Sequence, residues 1–466
     1  MHKLTLTAIV AMALAVGVQA SAQDASGYWA GVLNDRIHIL VHVTATADGR
    51  HEGTIENTDN ESGPLPFSAI DIHGNHLRLA ADKIGGSYDG NWDAHEQAWV
   101  GSWTMQGQTL PLVLKHTAAP STASKRMARP QDEAIAKGPL PYLQENVVFP
   151  NDAAHVTLGG TLTKPKGAGP FPAVVLISGT GANTRDEVSA GHKIFLVLAD
   201  ALTRKGIAVL RYDKRGVGES TGDFGSATTA DFASDAKAAV EWLSKRSDID
   251  HAHIGVMGHS EGGVIAPMVA VADRNVAFVV MLAGPGVRGD KLFVEQAYGV
   301  ALASGTPAAY VAKRRAFDQK LYSAVVDANT HDQEVDRVKA VIDSGLAEKV
   351  IEPKEAESLP GDVMRPWMEQ FLKLDPAIAL KQVTVPVLAL NGSLDLAVPA
   401  KLNLPAIRQA LSGNRDATVI EVAGLNHLFQ TAKTGAPSEF AHIEETVAPS
   451  ALSMITDWVV CHTHAP

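Results

Sequence analysis

The chain has 466 residues, 45% hydrophobic and 20% charged, which excludes disorder on a large scale and leaves room for two or three domains. Lys and Arg number 40 against 51 Asp and Glu, a net charge of −11 that argues against a nucleic-acid-binding surface. Cys461 is the single cysteine, so no internal disulfide can form and stability has to come from buried cores.

Residues 1–22 combine a short basic start (His2, Lys3), an apolar stretch from Leu4 to Val18, and small residues at Ala20 and Ala22. That is the layout of a signal peptide cleaved before Gln23, and the apolar run is shorter than a spanning helix needs. No later stretch is long and apolar enough to span. An exported protein, periplasmic or secreted and without a membrane span, is expected.

Residues 23–116 alternate apolar and polar positions in short segments, such as 37–44 with Ile37, Ile39, Val41 and Val43 on one face, 76–80 and 98–104. Asp48-Gly49, Gly74-Asn75 and Asp89-Gly90 read as hairpin turns between them. The expectation is a small antiparallel β domain, a barrel or a sandwich. Trp29, Trp92, Trp99 and Trp103 fall in this segment. They suit either a carbohydrate-stacking face or core filling, and the second is favoured because aromatics dominate small β cores. Residues 117–142, rich in Ala, Pro, Ser and charge without a period, read as a linker.

From residue 143 to 466 the pattern is strands alternating with helices. Segments 145–149 and 155–163 read as a leading antiparallel pair. Apolar strands follow at 173–178, 207–212, 254–257, 276–283 and 385–390, with helices at 193–204 and 229–244. Such an order builds an α/β fold: a doubly wound, mostly parallel sheet covered on both faces. Between residues 287 and 375 the strand signal stops and successive helical segments take over. An all-helical insertion between two sheet strands is expected to cap the sheet edge where ligand clefts form.

The chemistry centres on Gly258-His259-Ser260-Glu261-Gly262-Gly263, between a predicted strand and a predicted helix. In that context the serine sits on a tight turn, hydroxyl outward, and the N–H of Glu261 opens the helix beside it. A serine hydroxyl needs an aligned base, and the base needs an acid to fix its tautomer. Asp395, in Asn391-Gly392-Ser393-Leu394-Asp395, follows one predicted strand. His427, in Ala423-Gly424-Leu425-Asn426-His427, follows the next. Both are expected at the same sheet edge as Ser260. His259 is expected to pack under the turn, and Asp213 and Arg215 to pair with each other.

The order Ser260, Asp395, His427 resembles the α/β-hydrolase superfamily. Arg211-Tyr212-Asp213-Lys214-Arg215-Gly216-Val217-Gly218-Glu219-Ser220 is similar to the Y-D-x-R-G-x-G-x-S segment of many members. Ile177-Ser178-Gly179-Thr180-Gly181 is similar to their H-G-x-G loop, with Ser178 in place of the histidine. The resemblance covers about residues 143–460 and looks most like secreted carboxylesterases and a peptidase-related branch. It implies a Ser-His-Asp triad of Ser260, His427 and Asp395, with an oxyanion hole from the backbone N–H groups of Thr180 and Glu261. It further implies hydrolysis of small to medium acyl esters through an acyl-enzyme.

A peptidase related to prolyl oligopeptidase is the first alternative, because triad geometry alone does not separate esters from amides. An inactive hydrolase fold that grips glycans through the tryptophan-rich domain is the second. His462 and His464 beside Cys461 lack a fourth metal ligand, and no phosphate-cradling loop or G-x-G-x-x-G turn is present. Neither a metal nor a cofactor is expected. The partner is expected to be a small-molecule ester, and the sequence is silent on oligomeric state.

Overall fold

The computed structural model describes residues 23–33, 37–46, 49–58, 64–105, 108–119 and 127–463. The expected signal peptide, Asp48 of one expected turn, and His464 lie outside the described residues. The described chain forms two compact units, one up to residue 119 and the other from 127 onward.

The first unit is a single sheet of nine strands: β1 (Gly27–Leu33), β2 (Ile37–Ala45), β3 (His51–Asn57), β4 (Leu65–Pro66), β5 (Ala69–His73), β6 (His76–Ala81), β7 (Gly86–Asp93), β8 (Ala98–Met105) and β9 (Gln108–Thr117). Their order is β4-β3-β2-β1-β9-β8-β7-β6-β5, with antiparallel neighbours throughout. Between β4 and β5, Phe67 donates its N–H to the Gly53 carbonyl of β3 at 2.9 Å and Ser68 donates to the Ala80 carbonyl of β6 at 2.7 Å. The two sheet edges therefore meet, and the sheet closes as a barrel. Asp89-Gly90 is not a turn but lies inside β7, and the chain reverses at residues 94–97 instead. Gly90 pairs with Gly101 of β8. A Cβ at Gly101 would come within 2.2 Å of the Asp89 carbonyl, so this close strand crossing needs glycine.

Trp29, Trp99 and Trp103 are buried in the barrel with Tyr88, Leu77, Leu79, Leu112 and Leu114. Trp29, Trp92 and Trp99 meet edge to face, with ring centroids 5.4–6.3 Å apart. Trp29, Trp99 and Trp103 fill the core, and the partly buried Trp92 packs against it.

The second unit is built on eight strands: β10 (Leu143–Asn151), β11 (Val156–Lys164), β12 (Phe171–Ile177), β15 (Ala208–Tyr212), β16 (Ile249–His259), β17 (Val276–Leu282), β18 (Val387–Gly392) and β19 (Ala417–Val422); β13 (Val188–Ser189) and β14 (His192–Lys193) form a separate short hairpin. Their order is β10-β11-β15-β12-β16-β17-β18-β19, antiparallel at β10, β11 and β15 and parallel from β15 to β19. This is the α/β-hydrolase arrangement. Alternation along β12 assigns the two faces. Val175 and Ile177 pack against α3 (Thr229–Leu243), α4 (Glu261–Ala272), α10 (Pro376–Leu380) and α11 (Ala400–Ala410). Val174 and Leu176 pack against α1 (Pro130–Lys137), α2 (Ile194–Arg204) and α13 (Pro449–Thr463).

Helix α1 corrects the expected linker. Ile135 belongs to the core, and the buried Arg129 side chain donates to the carbonyls of Ala190, Ala441 and Ile443 at 2.9–3.1 Å. Asp132 accepts from the Lys193 N–H and the Thr446 hydroxyl at 2.9 and 2.6 Å. An eight-residue helix shows little periodicity, and these polar partners stand about 60 to more than 300 residues away in the chain.

Of the six helices between β17 and β18, the five before α10 gather around their own core of Phe317, Leu321, Val325, Val338 and Ile342: α5 (Gly289–Ala303), α6 (Ala308–Val326), α7 (His331–Ala347), α8 (Pro353–Val363) and α9 (Pro366–Lys373). Leu292 of α5 and Phe371 of α9 join Val398 in a smaller cluster, which ties these helices to the loop that follows β18. The four-residue α12 (Pro437–Phe440) lies in the last loop region before α13.

Candidate active site

Doubly wound sheets bind ligands beyond the carboxyl ends of their strands, and here the loops after β12, β16, β18 and β19 meet. Ser260 directly follows β16 with φ 55° and ψ −118°, a left-handed conformation that costs a non-glycine residue about 1–3 kcal/mol. The turn survives because α4 crosses β16 and β12 at backbone contact. A Cβ at Gly258 would lie 1.8 Å from the Gly262 carbonyl, and one at Gly262 would lie 2.0 Å from the Ile177 carbonyl.

Asp395 and His427 are brought together. His427 Nδ1 lies 2.8 Å from Asp395 Oδ2, and the Asp395 side chain is fully buried. An ionised carboxylate only accepts, so Nδ1 carries the proton and Nε2 is left as an acceptor. Asp395 Oδ1 accepts the N–H groups of Ala397 and Val398, each at 2.8 Å, which locks the carboxylate. The His427 loop is shaped by the buried Asn426, whose Oδ1 accepts from the N–H groups of Leu428 and Gln430, each at 3.0 Å. The two loops touch directly: a Cβ at Gly392 would lie 2.2 Å from the Leu425 carbonyl. Two other aspartates, neither of which ends a sheet strand, do different work, Asp375 capping α10 and Asp416 lying 3.4 Å from His462.

The loop after β12 lies against Ser260, since a Cβ at Gly179 would be 3.0 Å from the Ser260 Cβ. The Gly179 carbonyl accepts from Lys214 Nζ at 2.6 Å and from Asn183 Nδ2 at 2.8 Å. A trans peptide holds its N–H opposite its C=O, so the Thr180 N–H is turned the other way. Among the described residues neither the Thr180 nor the Glu261 N–H has an acceptor.

Sequence reasoning missed the buried charges under this turn. His259 is more than packing. Its Nδ1 lies 3.1 Å from Glu187 Oε1 and its Nε2 lies 2.9 Å from the His427 carbonyl. Both acceptors lack a proton, so the ring has to donate from both nitrogens, which is the imidazolium form. Burial opposes that charge, but Glu187, the His427 carbonyl and Asp395 outweigh it and raise the pKa above the ordinary histidine value. Glu187 Oε1 also accepts the Gly179 N–H at 2.6 Å, linking the β12 loop to the His427 loop.

The expected Asp213–Arg215 pair does not form. Asp213 accepts from Arg185 at 2.6 Å, whereas Arg215 turns to Asp235 at 2.7 Å and Asp231 at 3.1 Å. Arg185 stands in the Arg185-Asp186-Glu187 run after the β12 loop. Arg185 lies 28 residues from Asp213 in the chain, and nothing in the local sequence separates it from Arg215 as the partner.

Residues 155–415 match the family model described as X-Pro dipeptidyl-peptidase (S15 family), more than half of the chain. The chain belongs to the S15 family. Among curated proteins, this S15 member is 30% identical over 318 residues to esterase EstD of Thermotoga maritima, covering 65% of each chain. It is 34% identical over 145 residues to an uncharacterised Mycobacterium tuberculosis protein, spanning 31% of this chain and 47% of that one. It thus spans about two thirds of the length of the first relative and about half of the second. Among solved structures, esterase Pf2001 of Pyrococcus furiosus aligns at 16% identity and a TM-score of 0.42, covering 62% of this chain and 85% of its own.

Proposed function

We propose that this S15 member is a serine hydrolase that cleaves carboxylic esters of small to medium acyl chains. The observation that carries the reading is the fixed Asp395–His427 pair at 2.8 Å, at the sheet edge where Ser260 occupies its strained turn. In the proposed course Ser260 Oγ attacks the ester carbonyl carbon while its proton passes to His427 Nε2. Negative charge develops on the carbonyl oxygen, towards which the Thr180 and Glu261 N–H groups donate. The tetrahedral adduct expels the alcohol, which takes the proton from His427, and leaves Ser260 acylated. Water then gives a proton to His427 and attacks the acyl carbon, and collapse of that adduct releases the acid as Ser260 Oγ takes the proton back from His427. Asp395 stays ionised and stabilises the imidazolium formed in each half-reaction.

The similarity to an esterase supports the ester reading. The family model, described by a dipeptidyl-peptidase activity, supports a second one in which the leaving group is an amine. Hydrolysis of p-nitrophenyl esters from acetate to long chains, beside aminoacyl and prolyl p-nitroanilides, separates the two. Ester turnover that Ser260→Ala lowers by about four to six orders of magnitude is expected. Preferred anilide turnover would move the enzyme to the peptidase reading, and unchanged ester turnover in the variant would remove Ser260 as nucleophile. An exported enzyme is part of the proposal on the pattern of residues 1–22, and amino-terminal sequencing of the mature protein, expected to begin at Gln23, tests it.

A further inference from the structure

The side chain of Glu261 is completely buried, one residue after the nucleophile. Burying a carboxylate is costly unless it is paired and hydrogen-bonded, and here three donors from three elements converge on it. Lys214, from the loop after β15 and itself buried, reaches Oε2 at 3.1 Å. Thr229 Oγ1, at the start of α3, donates to Oε1 at 2.7 Å. Trp367 Nε1, from cap helix α9, donates to the same Oε1 at 2.7 Å. The Trp367 indole is stacked on Phe371 and meets Phe293 edge to face, so it moves with the cap.

Lys214 carries the connection further. The ammonium that pairs with Glu261 also donates to the Gly179 carbonyl, and it sits 4.1 Å from the centroid of the Phe232 ring. One amine thereby orients the peptide whose N–H belongs to Thr180. The other donor is the backbone N–H of Glu261 itself. A single carboxylate is therefore joined to both donors and to the cap.

We propose that Glu261 is a positioning residue through which the seating of α9 sets the geometry of both oxyanion donors, so that the site is fully assembled only when Trp367 is in place. The inference deepens the proposed function, because it takes the Thr180 and Glu261 N–H groups as that site's donors. Substrates that push α9 away lose turnover more than binding, and acyl or alcohol groups are thus selected by how they leave the cap.

The test uses the full chain with Trp367→Phe, Glu261→Gln and the double variant. Trp367→Phe keeps the stacked ring and removes only the N–H. Expected is a fall in kcat of about tenfold on a short p-nitrophenyl ester with a smaller change in KM, the size of one lost hydrogen bond to a charged group. The double variant should be no slower than Glu261→Gln alone. Amide exchange in residues 178–184 should quicken in Trp367→Phe, although that loop lies outside α9. Multiplicative losses in the double variant, or unchanged kcat in Trp367→Phe, would overturn the coupling. If Glu261→Gln does not fold, Trp367→Phe and its exchange pattern decide alone. Absence of ester turnover in the wild type would count against the proposed function only. In that event equal exchange of residues 178–184 in wild type and Trp367→Phe overturns the coupling, and faster exchange supports it.

Discussion

The barrel and the hydrolase unit solve the problem of a stable interior in opposite ways. Among the described residues the barrel buries no charged side chain, and its interior is Trp29, Tyr88, Trp99, Trp103 and Leu, Ile, Val and Ala side chains. The hydrolase unit buries charges in several places, among them Arg129 and Asp132 at α1, Asp235 in α3, Asp318 and Glu334 in the cap, and a group of seven, Glu187, Asp213, Lys214, Arg215, His259, Glu261 and Asp395. These seven lie at the end of β16 or on the loops and turn that follow β12, β15, β16 and β18. Buried ion pairs stabilise little, because desolvation offsets most of the attraction. At this edge the buried charges hold the loops that carry Ser260, Asp395 and His427, and among the described residues the barrel has no counterpart to them.

Changes at the charged edge should therefore act on rate and on pH response, and changes in the barrel on packing alone. After loss of the nucleophile itself, the largest expected effect is that of Asp395→Asn, which keeps the shape but reverses the hydrogen bond to His427 Nδ1 and presents the wrong tautomer. A fall in kcat of about 10⁴ is expected with little change in the unfolding midpoint. A comparable loss of stability would place Asp395 among the structural groups and blur the contrast.

Trp99→Ala comes next. Emptying the centre of the barrel should cost about 3–5 kcal/mol, read by denaturant unfolding of that unit, and the cost should be the same on the acid and alkaline sides of neutrality. A strong pH dependence would show that charge contributes to the barrel after all.

His259→Gln tests the other side of the comparison with the smallest effect, about 2 kcal/mol at most. The folded pKa of His259 is raised above its ordinary value of 6.5. The native state thus holds the proton more tightly than the unfolded chain does. The stabilisation is fully present below pH 6.5 and is lost as pH rises through the raised folded value. Thermal midpoints of wild type and variant measured across pH should lie furthest apart in acid and converge in alkali. A gap that widened with pH would mean that His259 is neutral when buried.

Much of the fold was legible. Strict alternation in β2, and long apolar runs in β12 and β17, report directly on how many faces of a strand are covered. The positions of Ser260, Asp395 and His427 were legible because each follows a recognisable strand, and parallel strands deliver their following loops to one edge. The turn expected at Asp89-Gly90 failed because glycine serves two ends. It permits a reversal, and equally a close crossing between strands, and only the facing Gly101 shows which. Helix α1 was lost to its shortness and to buried polar groups that look like surface.

Local composition and periodicity by themselves determined the β unit, the alternating α/β unit, the helical cap and the order of the three candidate catalytic residues, since backbone covalent geometry and burial impose periods that survive in the sequence. Only the tertiary structure decided which charges pair: Arg185 with Asp213, Arg215 with Asp235, His259 with Glu187, and Lys214 and Trp367 with Glu261. Coulomb attraction and hydrogen bonding depend on separation in space, and residues 20 to 106 apart in the chain became neighbours only when the loops closed over one sheet edge.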